Sequence, residues 1–97
     1  MIRHVVMWRV HGDDETTRHA HIEEMIAALR GCAGLPGIQA FEVSRAAGFG
    51  STHDVMLDSC FDDAAALAAY QIHPTHAAIL PRMRELAAER ACVDFEA

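Results

Sequence analysis

Apolar and polar residues alternate from Met1 to Val10, with Ile2, His4, Val6, Trp8 and Val10 on one side and Arg3, Val5, Met7 and Arg9 on the other. A period of two predicts a β-strand. Both sides are apolar in the middle, which predicts cover on both faces, the second supplied by another subunit. Gly12-Asp13-Asp14-Glu15 then predicts a turn and a helix start, with an aspartate as N-cap and Glu15 at the positive helix end. Along that helix, to about Arg30, Ile22, Met25, Ile26 and Leu29 recur on one stripe. The breaker segment Gly31 to Gly37 ends it.

Ile38 to Ser44 predicts a second strand, with Ile38, Ala40 and Glu42 on one face and Gln39, Phe41 and Val43 on the other. Arg45 to Thr52, rich in Gly and Ala, reads as a hairpin loop. His53 to Phe61 alternates again, Val55, Leu57, Ser59 and Phe61 against Asp54, Met56, Asp58 and Cys60. Asp62-Asp63 caps a helix over Ala64 to Ile72, and Pro74 opens another that carries Ile79, Leu80, Met83 and Leu86. Pro81 inside that helix predicts a kink. Ala91 to Glu96 reads as the last strand, with Cys92 packed as a small hydrophobe.

The order β-α-β-β-α(α)-β is that of the split βαβ, ferredoxin-like α+β fold. It predicts one domain over residues 1–97, a four-stranded antiparallel sheet with the helices on one face. The other face holds Val5 and Met7, an apolar patch too large to leave in water. A two-fold dimer packing sheet against sheet is the expected solution.

Composition narrows the function. The net charge is −6, and all eight basic residues are arginines with no basic stripe or tail, which argues against nucleic acid as a partner. Three cysteines, Cys32, Cys60 and Cys92, stand far apart, as in a cytoplasmic protein with reduced thiols. No signal-peptide pattern is present, and no apolar run nears the ~18 residues that a membrane span requires. With 18 alanines, the interior leaves either close helix–sheet packing or room for a ligand.

Chemistry concentrates in Tyr70-Gln71-Ile72-His73-Pro74-Thr75-His76. Pro74 ends one helix and begins the next, so His76 falls in a first turn, where the helix dipole favours neutral imidazole. A neutral histidine beside a tyrosine hydroxyl can move protons near neutral pH. The alternative is structural, with Tyr70 capping the interhelix turn and His76 bonded to a backbone carbonyl. His4, on an apolar strand face, reads either as a satisfied core histidine or as a substrate contact, and His73 as an N-cap or a solvated group. His19 and His21, two apart, face different sides of their helix and make a poor metal pair. His4, His73 and His76 lack the spacing of a zinc motif, so neither metal nor cofactor is expected.

The start Met1-Ile2-Arg3-His4-Val5-Val6-Met7-Trp8, the turn Leu35-Pro36-Gly37-Ile38, Phe61-Asp62, the YxxHPxH element from Tyr70 to His76 and the closing Val93-Asp94-Phe95 together resemble the stress-responsive A/B barrel domain (Dabb) family over nearly the whole chain. The resemblance implies a dimeric α+β barrel with a pocket between sheet and helices in each monomer. In the family's olivetolic acid cyclase-like polyketide cyclases, the Tyr and second His of YxxHPxH act on the substrate, which matches Tyr70 and His76. A strand-1 histidine of that pocket matches His4. The match also implies Val6, Trp8, Leu57 and Cys92 on the sheet side of the pocket, and Ile22, Met25 and Met83 on the helix side. The implied activity is a cofactor-independent aldol- or Claisen-type cyclisation, or an isomerisation, of a small apolar carbonyl-rich ligand. A non-catalytic stress-response or ligand-binding dimer and a cofactor-free monooxygenase of the related barrel type remain as alternatives.

Overall fold

The computed structural model describes residues 1–97. Its elements are β1 (Ile2–Val10), α1 (Glu15–Arg30), β2 (Ile38–Arg45), β3 (Val55–Phe61), α2 (Ala64–Ile72), α3 (Pro74–Leu86) and β4 (Ala87–Glu96). The sheet runs β2-β3-β1-β4, and each neighbouring pair is antiparallel. This is the ferredoxin-like arrangement expected from the element order.

Local chemistry places the elements. Asp14 caps α1 by accepting from the Thr17 N–H at 2.7 Å, and Asp63 caps α2 by accepting from the Ala66 N–H at 2.8 Å. At α3 the cap is His73, whose Nδ1 accepts from the Thr75 N–H at 3.1 Å, with Pro74 just inside. This joint sets α2 and α3 at a corner over the sheet. Gly37 leads into β2 at φ 84°, and a Cβ there would stand 2.7 Å from the Cβ of Ala66, so only glycine fits beneath α2.

His4, Val6, Trp8 and Val10 of β1 are all buried on the helix side, as are Val55, Leu57, Ser59 and Phe61 of β3. Val6, Trp8, Val10, Val55 and Leu57 among them cluster with Ile22, Met25, Ile26 and Leu29 of α1 and Met83 and Leu86 of α3. A second cluster, Cys32, Phe61, Leu67 and Tyr70, lies under α2. The other face keeps Met7, Val93 and Phe95 exposed, with Arg3 bound to Asp58 beside them.

Three local expectations change. In β2, Ile38 opposes Phe61 while Ala40 opposes Cys60, so a bulge at Gln39 puts Ile38 on the same face as Phe41 and Val43. Simple alternation would have turned Ile38 to the open face. The last strand starts at Ala87, because Ala87 to Arg90 extend the ladder against Trp8 to Val10 despite their lack of an apolar pattern. Cys92 is exposed. Its side chain shares the face of Val6, but β4 is an edge strand that the helices leave uncovered. Helix α3 continues through Pro81, which is exposed.

Candidate functional site

A cavity of about 540 Å³ lies between the sheet and the α2–α3 corner. That volume falls within the range of small-molecule sites, ~300–1,000 Å³. Its floor is sheet, from His4, Val6, Trp8 and Leu57, and its roof includes Tyr70, His76 and Met83. The lining also takes in Arg84, Glu89 and Arg90, which are exposed and therefore mark the mouth.

Tyr70 is 2 % exposed, and its hydroxyl has no hydrogen-bond partner. A buried orphan donor costs roughly 1–3 kcal/mol. Its ring is wedged among others, 4.9 Å from Phe61 and 4.6 Å from His76 between centroids. Burial, with a lesser contribution from Cys32, pushes the phenol well above its ordinary range. The hydroxyl is thus a proton-bearing donor at neutral pH, aligned by packing but unsatisfied.

His76 reaches the same space from the first turn of α3. Its Nδ1 lies 3.0 Å from the Gln71 carbonyl oxygen. A carbonyl only accepts, so Nδ1 carries the proton and Nε2 keeps a free lone pair. Burial lowers the pKa of this imidazole, the Gln71 hydrogen bond opposes that, and the nearby charges of His4 and Arg90 lower it further. The group is a neutral base with one nitrogen committed and one available.

His4 is 4 % exposed, and its Nδ1 lies 2.5 Å from Asp94 Oδ1. The Asp94 carboxylate fixes the ring and its tautomer, a role that no sequence motif marked. It rests on strand register, which sets His4 opposite Asp94 across the β1–β4 ladder. Cys92 Sγ stands 3.8 Å from the same nitrogen. These three donors lie within 4.8 Å of one another, the one grouping of the chain able to accept a metal ion. The His4–Asp94 hydrogen bond already satisfies two of them.

Of the residues expected in the pocket, the structure brings together His4, Val6, Trp8, Leu57, Tyr70, His76 and Met83. Ile22, Met25 and Cys92 are not among its lining. Ile22 and Met25 sit one to two turns before Leu29, and only Leu29, in the last turn of α1, reaches the cavity. They pack instead into the main core, Met25 with no exposed surface. Cys92 lies beyond the floor on the uncovered edge strand. The cavity also takes in Gln71, from within the Tyr70–His76 element, Ile79 and Leu80 from the apolar positions of α3, and the arginines of the mouth, which carry no motif.

Comparison with known proteins gives a family and a set of folds. The model of the Stress responsive A/B Barrel Domain matches residues 2–97. A dimeric protein of unknown function with a ferredoxin-like fold from Bacteroides fragilis is 26% identical, with a TM-score of 0.86 over 99% of this chain and 95% of that one. A dimeric ferredoxin-like protein of unknown function from Thermobifida fusca is also 26% identical, with a TM-score of 0.84 over 99% and 90%. A hydroxynitrile lyase from Passiflora edulis shares the fold at 13% identity, with a TM-score of 0.79 over 97% and 90%. No curated protein sequence matches the chain. No helix is long and apolar enough to cross a membrane.

Proposed function

The chain belongs to the stress-responsive A/B barrel family, and on that premise we propose that its cavity is the active site of a cofactor-independent acid–base enzyme of the polyketide-cyclase kind. The observation that carries this reading is the Tyr70 hydroxyl. It is a buried donor without a partner, facing ring-to-ring a histidine whose Nε2 is free. Buried polar groups in folded proteins are nearly always paired, so an unpartnered donor beside a cavity supports a role toward a bound molecule.

The chemistry follows from the protonation states. His76 Nε2 removes a proton from a carbon flanked by carbonyls, while the Tyr70 O–H donates to the enolate oxygen that develops. The enolate carbon attacks a second carbonyl of the same molecule. The imidazolium returns its proton to the resulting alkoxide. His4, held by Asp94, lines the floor and contacts the bound compound. No cofactor enters this scheme.

The protein works as a homodimer through the open sheet face. Exposed Val93 and Phe95 on β4 and Met7 on β1 favour this, as does the dimeric description of the Bacteroides fragilis and Thermobifida fusca relatives.

A second reading rests on the Gln71 bond. It ties the α2–α3 corner together, so His76 also serves the fold, as it would in a domain that binds a ligand without turning it over. Turnover of a panel of acyclic 1,3-dicarbonyl and triketide compounds by wild type, Tyr70→Phe and His76→Ala separates the two. The enzyme reading expects Tyr70→Phe to bind as wild type does and to lose turnover. Binding without turnover in wild type would leave only the ligand-binding domain. Turnover that stops in the absence of oxygen would point to a monooxygenase of the related barrel type.

A further inference from the structure

Resting on the cavity reading above, we propose that the ligand is an anion, a carboxylate carrying an apolar keto-bearing body, and that Arg90 and Arg84 receive the carboxylate at the mouth. Five of the eight arginines already hold carboxylates: Arg3 with Asp58, Arg9 with Glu89, Arg18 with Asp54, Arg45 with Glu23, and Arg82 with Glu24 and Glu85. Arg30, Arg84 and Arg90 hold none. Arg30 closes α1, where a cation is favourable against the negative helix end. The other two both line the cavity.

Arg84 gains something from the last turn of α3 as well. Arg90 has no such reason. It sits on β4 opposite Trp8, so its side chain leaves the sheet on the helix side, at the edge the helices leave open. The chain carries 14 acidic residues against these eight basic ones, so carboxylates were available to pair with it. Glu89, the acid of the mouth, is engaged by His53 at 3.0 Å and by Arg9 at 3.6 Å.

Behind this basic mouth Val6, Trp8, Leu29, Leu57, Ile79 and Met83 give the cavity a mostly apolar lining around His4, Tyr70 and His76. A ligand that fits both parts has a charged head and an apolar body. Guanidinium–carboxylate hydrogen bonds are charge-assisted and roughly twice as strong as neutral ones. The positive charge of Arg90 also acts on His76, disfavouring imidazolium. A carboxylate seated on Arg90 offsets that charge, so binding the correct ligand raises the basicity of the neighbouring base.

The test compares 4-oxo-4-phenylbutanoate, a stable keto acid, with its methyl ester by titration calorimetry against the full-length protein. The acid is expected to bind at least about tenfold more tightly than the ester, a preference that weakens with added salt. Arg90→Gln, and more fully Arg84→Gln with Arg90→Gln, removes the preference, while Arg30→Gln keeps it. An ester that binds as well as the acid overturns the proposal and leaves the cavity reading standing. A preference that survives in the double variant overturns the assignment to these arginines. No binding of either compound sinks both the proposal and the cavity on which it rests.

Discussion

The Tyr70 and His76 rings lie 4.6 Å apart between centroids at an interplanar angle of 49°, and only the histidine has a hydrogen-bond partner. The pair is fixed by different means. Tyr70 is held by packing against Phe61 and Phe41, and His76 by the Gln71 carbonyl. Each leaves one polar atom without a partner, Tyr70 its hydroxyl and His76 its Nε2.

Tyr70→Phe therefore separates stability from function. It removes a buried donor that nothing satisfies, so the variant is expected to melt at or above the wild-type temperature. Turnover is expected to fall by roughly 10²-fold or more, the usual contribution of a positioned proton donor. Thermal melts and steady-state rates on the same preparation check both halves.

The pH dependence follows from His76. Burial holds its folded pKa below the ordinary value of 6.5. The unfolded chain thus binds more protons than the folded one as pH falls through and below 6.5. The stability contributed by this group is fully present above that value and is lost progressively below it, down to the folded pKa. Denaturant titrations between pH 5 and 8 are expected to show a slope attributable to His76 that shrinks in His76→Gln. The base limb of the rate profile is expected to lie on the acid side of an ordinary imidazole.

Gly37 tests the seating of α2 on the sheet. At φ 84°, with Ala66 Cβ 2.7 Å from where a Cβ would stand, Gly37→Ala has both backbone strain and a clash to relieve. A loss of about 2–4 kcal/mol in urea unfolding is expected, whereas Gly34→Ala, with open space around it, is expected to change little.

The open sheet face tests the assembly. Val93 is 55% and Phe95 43% exposed in the single chain, on the same side as Met7. Val93→Arg with Phe95→Glu is expected to convert a dimer to a monomer in sedimentation velocity, at concentrations where wild type stays paired. A wild-type monomer would contradict the homodimer.

The frame was legible because alternation and punctuation agree. His4 to Val10, Val55 to Phe61 and the stripe from Ile22 to Leu29 all point to the helix side of the sheet, and an aspartate of Asp13-Asp14, the pair Asp62-Asp63 and Pro74 mark the helix starts that the structure has. Two kinds of information lay outside such patterns. A bulge at Gln39 reverses the alternation at Ile38 without any sequence signal, and β4 begins in Ala87-Ala88-Glu89-Arg90 because β1 offers a ladder there. The cavity shows the same division. Tyr70 and His76 sit within one short motif. The joining of His4 to Asp94, by contrast, spans 90 positions and depends on strand register. Ile22 and Met25 share a stripe with Leu29, yet which turn of α1 overlooks the cavity is set by how the helix crosses the sheet.

Solvent-deuterium exchange, followed by proton NMR, tests the central claim most directly. The probe is 1-phenyl-1,3-butanedione, read at its C2 protons in deuterated buffer held where exchange in buffer alone is slow. Proton removal by His76 Nε2 with Tyr70 at the enolate oxygen predicts exchange accelerated by wild type, strongly reduced in Tyr70→Phe and abolished in His76→Ala. Exchange at the buffer rate with wild type, or acceleration that persists when both residues are replaced, would contradict the assignment.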